Sequence, residues 1–159
     1  MANEQLKPLI QQGLNASSAG LKVSAEGADE VQNDATNPQL KQLLEQGVEM
    51  SKQWQARVEQ AQQELGGAEK QSNPIMEAHH EVSKKIRRQA PDAHSRDLGI
   101  IANGQLVLHY WMANFGTLSA YATQAGLNET AQLMQTCTQE AQQADEQHTQ
   151  LAQQLMGAA

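Results

Sequence analysis

The side chains here that could do chemistry are few, and most sit on helical spacing. His79, His80, His94, His109 and His148 are the candidate metal ligands, because imidazole and inward carboxylates are what a helical bundle uses to hold a pair of metal ions. His79 and His80 are adjacent, so on a helix they point about 100° apart and read as surface or boundary residues. His109 follows Leu108 and leaves the apolar face by the same angle, as a flank residue. Asp145 and His148 stand three apart, which puts them on one face. A buried carboxylate needs a partner, and His148 is the natural one. The stretch LVLHYWMANFGT, residues 106 to 117, holds three of the five aromatic residues of the chain, Tyr110, Trp111 and Phe115. That concentration suits either a cofactor pocket or the thick part of a core.

Other polar groups have ordinary readings. Glu49 and Glu140 fall off the apolar faces and read as solvated. Lys84, Lys85, Arg87 and Arg88 close a helix, where cations complement the helix dipole. Cys137 lies beside an apolar seam as a small packing residue, and as the single cysteine it can form no intramolecular disulfide. There is no nucleophile–base arrangement, phosphate loop or dinucleotide fingerprint.

The elements that must position these groups are helices. Gln, Ala, Leu and Glu dominate while strand formers are scarce, so the composition predicts an all-α protein. In ATNPQL, Thr36 or Asn37 caps a helix that Pro38 opens, running from about 38 to 65 until LGG stops it. QSNPIM repeats the device at Asn73 and Pro74, and that shorter helix ends before Pro91. The next helix spans about 92 to 124, Gly126 stops it, and Asn128 caps a last one reaching about 156. Within the last helix Leu127, Ala131, Met134, Thr138, Ala141, Asp145, His148, Ala152 and Leu155 alternate four and three apart, the spacing of a bundle seam. Leu40, Leu44, Gly47, Ser51, Trp54, Val58, Ala61 and Leu65 do so in the second helix. On the fourth, Ile101, Leu108, Met112, Phe115 and Ala122 share a face. In the N-terminal segment Gly13, Gly20 and Gly27 are seven apart, each opposing a helix by up to about 1 kcal/mol relative to Ala. Their common face suits close packing on a neighbouring helix or contact with a second subunit.

Length and charge narrow the function. A chain of 159 residues is expected to form one domain over 1–159 with a core that needs no staple. A net charge of −7 opposes general affinity for nucleic acid or anionic membranes. The N-terminus carries no basic segment followed by an apolar run, and no stretch approaches the roughly 20 apolar residues of a membrane span. A cytoplasmic protein with neither nucleic acid nor membrane as partner is expected.

The C-terminal half, from SRDLGIIANGQLVLHYWMANFGTL through AGLNETAQL to QADEQHTQLA, resembles the YciE/YciF family of ferritin-like bacterial proteins, whose pattern there includes EHYEIAxYGTL. Upstream, IMEAHHE and ATNPQLKQLLEQGVEMSKQWQARV are similar to the same family in register. The resemblance implies an antiparallel ferritin-like four-helix bundle with an additional short helix, a stress-associated setting and, in some members, a dimetal centre held by inward carboxylates. Here Leu108 and Trp111 stand where the family has glutamates, Gly47 and Met50 where it has His and Glu, Ala141 at one position of a Glu pair whose other member is Glu140, and Leu21 at a further Glu. Such apolar residues offer a metal no ligand. The expectation is therefore a protein without an intact dimetal site, more consistent with a non-enzymatic structural or binding role than with an enzyme, as a homodimer, with no cofactor. Two alternatives stay open. One is an iron or manganese redox or storage protein with an altered ligand set of Asp145, His148, Glu140 and His109. The other is a small-molecule binder using the vacated space, lined by Met50, Trp54, Leu108 and Trp111.

Overall fold

Asn37 and Asn73 each precede a proline, and each caps a helix with its side chain. In the computed structural model, which describes residues 2–157, Asn37 Oδ1 accepts the N–H groups of Gln39 (2.8 Å) and Leu40 (3.1 Å), and Asn73 Oδ1 accepts that of Met76 (3.1 Å). Proline in the first turn loses nothing, since its missing N–H is one the helix could not have paired. Asp92 caps the fourth helix through Ser95 N–H (2.7 Å), and Gly126, at φ 75°, ends it in the left-handed conformation. Five helices result, and no strand among the described residues: α1 (Ala2–Asp34), α2 (Pro38–Glu64), α3 (Pro74–Gln89), α4 (Ala93–Ala125) and α5 (Asn128–Gly157). The glycines of α1 do not interrupt it.

The core shows how the helices run. At one end Ala35 from the end of α1 meets Leu40 from the start of α2, Ile100 and Ile101 from the start of α4, and Leu151 from α5. The larger cluster joins Ile10 and Leu14 early in α1 to Val58 and Ala61 late in α2, Leu118 and Ala122 late in α4, and Met134 and Cys137 early in α5. So α1 and α5 run against α2 and α4, and each packed pair of long helices is antiparallel. Because α2 ends at the opposite end from where α4 begins, the chain must recross the bundle. The short α3 lies on that return path, packed on α1 and α4.

Polar side chains tie the ends. Asp97, in the first turns of α4, accepts from Thr36 N–H (2.8 Å), Thr36 Oγ1 (2.6 Å) and Asn37 N–H (2.8 Å), pinning the α1–α2 turn to α4. Glu64 at the end of α2 accepts from the N–H (2.8 Å) and Oγ1 (2.6 Å) of Thr130 and so satisfies the open first turn of α5. Arg87 does more than complement the end of its helix. It is buried, with Nε donating to Asp34 (2.7 Å), Nη2 to Glu30 (3.2 Å), and Nη1 to Ser83, which locks α3 onto the end of α1.

Two further expectations shift. The buried stripe of α5 is Thr130, Met134, Cys137, Ala141, Ala144, His148 and Leu151, half a step around from the predicted seam. Cys137 is thus in the core, and Asp145 sits at its edge. The overlap arises because positions 134, 141 and 148 satisfy either stripe. The glycine row of α1 packs within the chain: a Cβ on Gly13 would lie 2.6 Å from Leu118, and one on Gly20 would lie 2.6 Å from Asn73 and 2.9 Å from Met76. Gly47 in α2 is the opposite case, with nothing within 4 Å of a Cβ. Opposite signs follow for the same substitution. Gly20→Ala should destabilise by about 1–3 kcal/mol through overpacking, whereas Gly47→Ala should stabilise by up to about 1 kcal/mol through helix propensity, as measured by denaturant unfolding.

Candidate functional site

Small residues make the space at this site. Where α1 (residues 21–32) passes α2 (residues 43–55), α1 contributes Ala25 and Ala28, and α2 contributes Gly47 and Ser51. These cannot meet across the gap. A cavity of about 660 Å³ lies between the two helices, inside the range of roughly 300–1,000 Å³ usual for small-molecule sites. Met76 of α3, Leu108 and Trp111 of α4, and Ala144 and His148 of α5 line it from behind. Met50, Trp54, Leu108 and Trp111, the four residues named from sequence as lining a vacated space, all border this one cavity. It reaches the surface beside Lys22, Asp29 and Lys52, which are exposed.

Trp54 and Trp111 form one wall, with Phe115 and Tyr110 packed on them. Trp54 meets Trp111 edge-on with ring centroids 6.2 Å apart, and meets Phe115 edge-on at 5.3 Å. Trp111 stacks on Phe115 at 5.1 Å and takes Tyr110 edge-on at 4.9 Å. Such pairs add about 0.5–1.5 kcal/mol each beyond burial. The Trp54 indole N–H donates to Glu140 Oε2 (2.8 Å), and the Arg57 guanidinium grips the same carboxylate at 2.6 and 3.0 Å. Glu140 is therefore not a solvated residue. It anchors the tryptophan wall, through a partner 83 residues away that no local pattern announces. Burial pushes the neighbouring Cys137 thiol up to about 11, with Arg57 opposing, so it stays protonated and unreactive.

Polar groups interrupt the apolar lining at a few points. His148 is buried, and its Nδ1 lies 2.7 Å from the Ala144 carbonyl, so Nδ1 carries the proton and Nε2 can only accept. His79 Nε2 donates to the Asn103 carbonyl at 3.2 Å. The buried Asn103 has an Oδ1 with no hydrogen-bond partner, and so do Ser24 Oγ and Gln55 Oε1; all three residues border the cavity. Asn103, Gly104, Ser24 and Gln55 are the site residues that sequence reasoning missed. The available signal was Asn103–Gly104, two poor helix formers in the middle of α4 with no local reason to be there.

The proposed ligand set is not assembled. Asp145 Oδ2 lies 3.2 Å from His109 Nε2, so its partner is the exposed His109 and not His148, which is turned to its own helix backbone. Glu140 is taken by Arg57. Glu77 and His80 have the three-residue spacing of a metal-binding pair, yet Glu77 is exposed and His80 packs against Gly27. Among the described residues no three His, Cys, Asp or Glu side chains come together in a group able to hold a metal ion. At the interior positions 21, 108, 111 and 141 stand buried Leu, Leu, Trp and Ala. This donor chemistry does not fit a metal pair.

The family model DUF892, described as a domain of unknown function, matches residues 22–159. No curated protein matches the chain significantly. Among solved structures, the E. coli stress protein YciF is similar with a TM-score of 0.92 and 21% identity, over 97% of this chain and 98% of that one. YcfI from Rhodopseudomonas palustris, provisionally described as a structural protein, is similar with a TM-score of 0.87 and 23% identity, over 91% and 92% of the two chains. At such identities the likeness shows the all-α bundle fold. No described helix is long and apolar enough to cross a membrane.

Burial makes both interior imidazoles pH-sensitive. Desolvation holds His148 below the ordinary 6.5, partly offset by the Ala144 carbonyl and the Asp145 charge. Desolvation likewise lowers His79, partly offset by its hydrogen bond to the Asn103 carbonyl. As pH falls below 6.5 the unfolded chain takes up protons that the folded chain refuses, so stability drops between that value and the lowered folded ones. Unfolding midpoints should fall from pH 7.5 to pH 5.5, and His148→Phe should flatten that slope; an unchanged slope in the variant would remove His148 from this account.

Proposed function

The chain belongs to the DUF892 family, and on that footing we propose that it is a non-enzymatic, ferritin-like binding protein whose cavity takes up an apolar small molecule. The observation that carries this is the cavity of about 660 Å³ bordered by Met50, Trp54, Leu108 and Trp111. A concave, mostly apolar space with a few convergent polar groups is the general form of a small-molecule site. The single long recrossing between α2 and α4 supports the ferritin-like assignment. The positions that open or line the space, 47, 50, 108 and 111, are those where the resemblance puts polar residues in relatives, so an apolar ligand would replace a hydrated interior. Similarity in fold to a stress protein supports a stress-associated setting.

Both tryptophans of the chain border the cavity, so indole emission is a built-in reporter. Titration with butylbenzene should give a saturable emission change at one equivalent per chain. Gly47→Phe, which projects a ring into the open space, should weaken binding at least about tenfold, a loss of about 1.4 kcal/mol. An unsaturable response, or equal binding by the variant, would defeat the proposal. Elemental analysis of the protein purified without chelator adds an independent arm: two iron or manganese ions per chain would favour the dimetal reading.

A further inference from the structure

Of four polar atoms without a partner on residues that border the cavity, three can only accept, and the fourth, Ser24 Oγ, can also donate. Gln55 Nε2 donates to Ser18 Oγ (2.9 Å) and Glu59 Oε1 (2.8 Å), which fixes the amide and leaves Oε1 as an acceptor without a partner. Asn103 Oδ1 is a second unpartnered acceptor, on a residue only 7% exposed. His148 supplies a third, because its proton is committed to Ala144. Its ring lies directly over α4 beside Asn103: a Cβ on Gly104 would stand 2.9 Å from Nε2. Gly104 thus lets the imidazole approach the Asn103 turn of the helix.

This arrangement selects a ligand. Groups that only accept are satisfied by a molecule that donates, while an ether or ketone, which Ser24 Oγ alone could serve, would set lone pairs against the other three. A charged head is disfavoured, because the ionic residues of the lining, Lys22, Asp29 and Lys52, are exposed at the rim and an ion deeper in would be unpaired. Resting on the cavity being a ligand site, we propose that its occupant is an uncharged apolar molecule bearing a hydroxyl, an alcohol or phenol, and that Asn103 Oδ1 accepts the hydroxyl proton. The hydrocarbon body then lies against Trp54, Leu108 and Trp111.

Three matched probes test this on the intact protein: 4-butylphenol, 4-butylanisole and butylbenzene, each titrated by tryptophan emission and calorimetry. The phenol should bind about tenfold more tightly than the other two, the scale of one buried hydrogen bond. In Asn103→Leu that preference should vanish while butylbenzene binding persists. Equal binding of all three by the unaltered protein would overturn the hydroxyl anchor and leave the apolar cavity reading standing. A preference that survives in Asn103→Leu would overturn the role of Asn103. Binding of none would remove the cavity reading and this one with it. The comparison of probes on the unaltered protein needs no variant to fold.

Discussion

Small side chains let two helices approach closely when nothing else holds them apart, yet along the middle of α1 and α2 a space of about 660 Å³ stays open between them. Ala25 and Ala28 border the gap from α1, and Gly47 and Ser51 from α2. Elsewhere the same helices close well, around Leu14, Val58 and Ala61 at one end and Ala35 and Leu40 at the other. The core is therefore two clusters with a space between them. A helix backbone cannot bend sharply without proline or a bulge, and neither helix carries one in this region, so tight ends hold the middle apart.

Polar ties keep those ends fixed. Asp97 clamps the α1–α2 turn to α4, and Arg87 clamps α3 to the end of α1. On the other side, Glu140 holds Trp54 through its indole N–H while Arg57 holds Glu140. A carboxylate or guanidinium buried as Asp97 and Arg87 are is tolerated only when its bonds are made, so these two ties also specify one arrangement of their helices. The tryptophan wall faces the cavity as a rigid surface, stacked on Phe115 behind it.

Much of the fold was legible because its signals are local. Asn37–Pro38, Asn73–Pro74 and Gly126 mark helix limits through caps and backbone preference, and the observed limits lie within a residue or two of the predicted ones. The interior polar chemistry was less legible, because it is set by residues distant in sequence. Glu140 looks solvated until Arg57 and Trp54 are placed beside it, and Arg87 looks like a helix-end cation until Asp34 is. Asp145 and His148 share a helix face, yet His148 satisfies its own Nδ1 on the Ala144 carbonyl four residues back, which periodicity does not reveal. The cavity was partly readable: Gly47 and Ser51 sit on an apolar stripe where a packed bundle would carry larger residues, and Met50, Trp54, Leu108 and Trp111 could be named as a lining.

Whether the space between α1 and α2 persists as an apolar site is most directly measured by diffraction from crystals pressurised with xenon, which enters apolar cavities and leaves packed cores empty. Xenon against Trp54, Leu108 and Trp111 is the predicted result. A gap closed by approach of α1 onto α2, with no xenon between them, would contradict the account.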